Sequence, residues 1–249
     1  MQAYRLHTKG LRIFYLLVSG FCLYSAGMSF YMQRQEHGLM SLGVFFLLWG
    51  LMNLDGVLGL SLSEMSLATA LLLAVAGPIL GTVHRFYFTY LWWDSFIHGI
   101  SGFLLVAVGF SLPESKLMRG KADWGFHQRM VLAFLFSMAA ASFWELWEFM
   151  WDQLLGMDLQ GDTLITGISS HLLGVGEGVG RIEDIRLVTI DKRPLPFEGY
   201  LDIGLIDTMM DTLSHLIGAV LFCALASSTR FKRLRRFTRL FINQGVMGD

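Results

Sequence analysis

Residues 204–226 read GLIDTMMDTLSHLIGAVLFCALA. The stretch is long and apolar enough to cross a bilayer, which takes ~20 residues as a helix. Yet it carries Asp207, Asp211 and His215, each four residues apart. Four-residue spacing sets side chains on one helical face. The stretch is therefore predicted to be a membrane span with one polar stripe.

Two other apolar stretches share this device. Residues 88–112 carry Asp94 and His98, four apart. Residues 128–151 carry Glu145 and Glu148, three apart, with Asp152 four further on at the edge. Three more spans are expected at 11–32, 39–60 and 65–83. The first follows Arg5, Lys9 and Arg12, as a secretory signal does. Its apolar run is long enough to span, so it is expected to stay as an uncleaved first helix. The expected fold is all-α: a polytopic bundle of about six transmembrane helices. A single transmembrane domain is predicted over 1–229, with a basic tail at 230–249.

Composition agrees. The chain has 249 residues, of which 54% are hydrophobic, 14% aromatic and 16% charged. A soluble domain averages ~25% charged residues, so a soluble globular enzyme is disfavoured. A disordered chain would be polar and poor in aromatics. Lys and Arg number 19 against 20 Asp and Glu, which leaves no net field for nucleic acid. Cys22 and Cys223 form no metal motif or disulfide framework by spacing.

Basic residues set the expected orientation. With six spans, one side holds Arg5, Lys9, Arg12, Lys116, Arg119, Lys121, Arg129 and the six cations from Arg230 to Arg239, which is 13 of 19. The positive-inside rule puts this side, and both termini, in the cytoplasm of a bacterial inner membrane. Phe86, Tyr87, Phe88, Tyr90, Trp92 and Trp93 suit an interfacial belt at the outer end of span four. The loop 153–203 then lies outside. Within it Ile185–Asp191 is predicted as a strand and Lys192–Pro194 as a turn. The glycine run 174–180 lacks GxGxxG spacing and is expected to be a flexible loop. In the tail, a helix would lay Phe231, Leu234, Phe237 and Phe241 on the inner leaflet, with its cations toward headgroups. Both a topology anchor and a lipid-binding element fit that pattern.

The acids inside the spans carry the functional argument. An unpaired Asp at the bilayer centre costs ~2.5–3.5 kcal/mol on insertion scales. No Lys or Arg lies within a span core, since Arg12, Arg85 and Arg129 stand at span ends. Protons, histidine or a bound cation must supply the compensation. In the six-span topology all three stripes fall in the outer half of the membrane. Asn53 and Asp55 lie nearer the inner end and do not join them. His84, at the outer end of span three, is expected to be interfacial. Carboxylates and imidazoles at such spacing on facing helices build dimetal sites in helix bundles, and divalent ions suit these ligands. The candidate metal ligands are Glu145, Glu148, Asp207, Asp211, His98 and His215. Asp94 and His98 are the candidate catalytic pair, Asp94 orienting His98 or acting as base. Neither HExxH nor a Ser/His/Asp pattern is present.

Several of these residues resemble motifs of the YjdF-type bacterial inner-membrane proteins. Asp94-Ser95-Phe96-Ile97-His98 with Gly102-Phe103 resembles their D-x-x-x-H…G-F segment. Glu145-Leu146-Trp147-Glu148 resembles E-x-x-E-[WF], and Gln160-Gly161-Asp162 resembles Q-G-D. Asp207 and Asp211, followed by His215, Gly218 and Ala219, resemble D-x-x-x-D-x-x-x-[DN]-x-x-G-A. His215 stands where that family has Asp or Asn, and about forty residues intervene after Q-G-D where its link is short. The layout distantly resembles VanZ-like membrane proteins. The resemblance implies a fold and a site but names no reaction.

The leading expectation is a metal-dependent membrane hydrolase or transferase, with a divalent ion as cofactor. Membrane lipids would be its surroundings and a lipid or other amphipathic molecule its substrate. A proton- or cation-coupled transporter and a non-catalytic assembly or resistance factor stand beside it.

Overall fold

The computed structural model describes residues 8–58, 62–174, 176, 178–228 and 232–242. Its long helices fall on the predicted spans. They are α1 (Lys9–Tyr31), α2 (Gln35–Leu58), α3 (Glu64–Val75, continued as a π-helix over Ala76–Val83), α5 (Trp93–Phe110), α6 (Phe126–Leu155) and α7 (Leu205–Ser227). Between them lies a single turn, α4 (Phe86–Thr89), and after them the short α8 (Lys232–Phe241). Among the described residues, five of these helices are long and apolar enough to cross a membrane. The other, α2, has the length, 24 residues. Large apolar side chains point outward along them, Phe143 being 73% and Ile217 60% exposed. That pattern suits contact with lipid rather than water.

Local chemistry sets the helix ends. The Thr8 hydroxyl accepts from the Leu11 N–H at 3.4 Å and starts α1, while Ser63 does the same for Ser66 at 3.1 Å and starts α3. Thr8 also donates its N–H and hydroxyl to Glu64, at 2.8 and 2.7 Å, which ties the two helix starts together. Pro78 has no N–H to give a regular helix, and the turn widens across it. The Trp93 indole donates to the Ala76 carbonyl there, at 3.2 Å.

Span four begins at Trp93 rather than 88. Arg85 takes a left-handed φ of 63° and Tyr90 is extended, so the aromatic belt forms its own turn before α5. The hairpin of the 153–203 loop also differs from expectation. Only Thr189–Ile190 (β4) and Arg193–Pro194 (β5) pair, with Ile190 opposite Arg193. Asp191 and Lys192 both have positive φ, 51° and 65°, so the turn is a two-residue one of the kind whose twist matches a hairpin. The turn thus comes one residue earlier than predicted.

The chain forms two compact units. The first comprises Met1–Ala141 and Asp211–Asp249 and holds two apolar cores. One joins α1, α2 and α3 through Cys22, Leu48, Leu67, Leu71 and Ile79. The other joins α5, α6, α7 and α8 through Leu104, Phe110, Ala133, Phe222 and Phe241. Phe241 of the tail is thus buried in protein, not laid on the leaflet as expected, because α8 packs on α3 and α5. Phe231 and the side chain of Leu234 lie outside the described residues. The second unit, Ser142–Met210, adds two more antiparallel pairs to β4–β5. They are Thr163–Ile165 (β1) with Tyr200–Asp202 (β6), and Ile168–Ser170 (β2) with Gly180–Ile182 (β3). The glycine run is a close crossing here. A Cβ on Gly174 would lie 2.8 Å from the Gly178 carbonyl carbon, so no side chain fits.

Candidate functional site

In the first unit, α5 and α7 meet backbone to backbone. A Cβ on Gly102 would stand 2.8 Å from the His215 carbonyl carbon and closer still to its oxygen. A Cβ on Gly218 would stand 2.8 Å from the Gly99 carbonyl carbon. Small residues let membrane helices approach this closely. Two turns further along the same face of α5, a Cβ on Gly109 would stand 2.8 Å from the Ala133 Cα of α6.

That contact brings His98 of α5 beside Asp211 of α7. His98 Nε2 lies 3.5 Å from Asp211 Oδ2 and 3.7 Å from Asp94 Oδ1. Ligand atoms of the three residues all fall within 4.8 Å of one another. Asp211 and His98 are covered, with side chains 3% and 12% exposed, while Asp94 is 32% exposed. The group thus has one open edge, at Asp94.

One turn along each helix lies a second polar layer. Ser137 of α6 donates its hydroxyl to the Gly102 carbonyl at 3.1 Å. Its Oγ is 2.9 Å and its carbonyl 3.1 Å from His215 Nε2. Since the hydroxyl proton goes to Gly102, His215 Nε2 is assigned as the donor to Ser137. Only Nδ1 of His215 then remains to accept a proton or a metal. Ser137 thereby clasps three helices directly under His98 and Asp211. The residue escaped the sequence reading, since a lone serine in an apolar span looks like any small packing residue. His84 stands apart from the group. It bonds Ser25 of α1 at 3.1 Å and stacks on Phe21 at 5.4 Å.

The other predicted residues belong to the second unit. Glu148 accepts from the Trp144 indole at 2.9 Å. Glu145 is buried. Asp207 accepts the Gly161 N–H at 2.7 Å, and Gln160 donates its side-chain amide to Thr208. Gln160 and Gly161 thus dock on the start of α7. Asp152 takes the Leu159 and Gln160 N–H groups at 2.7 and 2.9 Å. Bonds of this charged kind contribute ~1.5–3 kcal/mol each. An Asp152→Ala chain is therefore expected to be cut in the 156–162 loop at least tenfold faster in limited proteolysis.

Asp158 senses this setting. Partial burial first, then the charges of Asp162, Asp152 and Asp207, raise its carboxyl above the ordinary 3.8. Below that value the group holds its proton whether the loop is docked or detached, and costs nothing. As pH rises through 3.8 the detached loop ionises first, so docking weakens until pH passes the raised value. Asp158→Asn is expected to slow loop proteolysis near pH 7 and to leave it unchanged near pH 3.

Six long helices with outward apolar side chains and a buried acid–imidazole group define a multi-pass membrane protein. The model of the family described as predicted membrane protein DUF2238 matches residues 11–232, and the chain belongs to that family. No curated protein and no solved structure matches it.

Proposed function

We propose that the chain is a metal-dependent membrane enzyme whose divalent ion is held by Asp94, His98 and Asp211. Its substrate is a lipid or another amphipathic molecule. The observation that carries this reading is the spacing in that group. At 3.5 and 3.7 Å, the distances from His98 Nε2 to the two carboxylates exceed the 2.7–3.2 Å of a hydrogen bond. They suit the ~3.4 Å edge of a tetrahedron whose ligands stand ~2.1 Å from a zinc-like ion. Two carboxylates and one imidazole leave a position for water or a substrate oxygen. A bound ion would lower the pKa of water or polarise a phosphoryl or carbonyl group. His98 and Asp211 are the covered ligands. Asp94 flanks the open edge and is the group placed to accept a proton there. With the positive-inside orientation, this edge faces the outside of a bacterial inner membrane.

One observation favours an enzyme over a transporter. Past His215 and Ser137, the described parts of α5, α6 and α7 close on Leu104, Ala107, Phe110, Met130, Ala133 and Phe222. Beyond those two residues, α5 (104–110) and α7 (216–227) hold no charged side chain to carry a proton or cation onward, and α6 holds only His127 and Arg129 at its start.

Metal analysis of detergent-purified protein tests the reading. Near one ion per chain is expected, together with metal-dependent turnover of one component in a panel of membrane lipids. Protein that neither carries nor gains a divalent ion would overturn it. Ion uptake into sealed vesicles would support the transporter instead.

A further inference from the structure

We propose that α8 docks on the anionic lipids of one membrane leaflet. The inference is independent of the metal site. One face of α8 is anchored in the protein. Thr238, Phe241 and Ile242 are buried, and the Phe241 carbonyl accepts the Ser66 hydroxyl at 2.6 Å. Ile242 bridges Leu62, and the Phe103 ring meets Phe241 edge-on at 5.3 Å. These contacts hold the helix against the start of α3 and against Phe103 of α5.

The rest of its surface divides in two. At about 100° per residue, Leu240 and Phe237 fall in one sector and Arg236 and Arg239 in the next. Phe237 is 46% and Leu240 49% exposed, and both arginines are exposed. Two cations of the neighbouring loop and of the α6 start are already engaged. Arg129 pairs with Glu114 at 2.7 Å and Lys116 bonds the Val57 carbonyl at 3.3 Å. Among the described residues no carboxylate pairs with Arg236 or Arg239.

A partner must therefore offer negative charge next to apolar volume. A leaflet of anionic phospholipid does so, with acyl chains over Phe237 and Leu240 and phosphates at the guanidinium groups. A soluble anion would leave the two apolar side chains uncovered.

The probes are phosphatidylglycerol and phosphatidylcholine added to the detergent-purified full chain, with retained lipids counted by native mass spectrometry. Wild type is expected to prefer phosphatidylglycerol. Arg236→Gln with Arg239→Gln should reduce that preference about fivefold per arginine, whereas lysine at both positions should keep it. Equal retention of the two lipids by wild type would overturn the proposal and leave α8 a plain topology anchor. So would a glutamine variant with undiminished preference. A salt titration of wild type decides the matter even if the variant does not fold. The preference must fall as ionic strength rises, and a preference indifferent to salt refutes it. Competition by inorganic phosphate as effective as that by phosphatidylglycerol would also count against a lipid.

Discussion

Replacing Gly102 with valine is expected to lower the thermal midpoint of the purified protein by roughly 10 °C, equivalent to about 3 kcal/mol. The cause is backbone, not side chain. A Cβ at 102 meets the carbonyl group of His215, which cannot rotate away. α5 and α7 must therefore separate, or α5 must turn. Either movement draws His98 from Asp211, because His98 lies one turn before Gly102 and Asp211 one turn before His215. Even Gly102→Ala should show most of the effect, since the first carbon already clashes. Gly27 of α1 supplies the control, because nothing lies within 4 Å of a Cβ built there. Gly27→Ala should unfold like wild type. A Gly102→Ala chain as stable as the Gly27→Ala chain would mean that α5 and α7 do not approach as described.

The second large effect concerns the metal. Asp211→Asn and His98→Ala are each expected to weaken divalent-ion affinity by at least about 100-fold. Substitution of a mere supporting residue already costs 10–100-fold, and these side chains are direct ligands in the proposal. Stability offers a readout that needs no substrate. An ion present at 100 times its dissociation constant adds about 2.7 kcal/mol to the folded state. A chelator should therefore lower the midpoint of wild type by several degrees and leave Asp211→Asn unmoved. If chelator shifts both chains equally, the ion does not sit on Asp211. If it shifts neither and both lack metal, the metal reading fails.

Much of the fold is legible in the sequence. The six predicted stretches became the six long helices, five of them long and apolar enough to cross a membrane, because such a helix is a property of ~20 consecutive residues. Boundaries went astray where a single backbone angle decided them. At Arg85 a left-handed residue splits the aromatic belt from α5, and at Asp191 and Lys192 two positive φ angles move the hairpin turn. Neither is visible in hydropathy.

The polar residues follow the same division. Spacing alone singled out Asp94, His98, Asp207, Asp211 and His215, since four-residue intervals on one helix are a local matter. Spacing does not say which stripes meet. Asp207 is engaged by the Gly161 N–H and His215 Nε2 by Ser137, whereas His98 sits between Asp94 and Asp211. Ser137 and the amide-clamping role of Asp152 depend on partners far away in sequence or on a loop's path.

The sequence by itself determined that this is a helical membrane protein, where its long helices lie, and that acids and imidazoles stripe three of them. Only the tertiary structure decided which stripes join, and that the tail helix is anchored in the core. The physical reason is range. Amphipathicity and span length are summed over neighbours in the chain, but the approach of α5 to α7 depends on side chains missing from both helices at facing positions. Gly99, Gly102 and Gly218 are ordinary glycines until the two backbones are placed together.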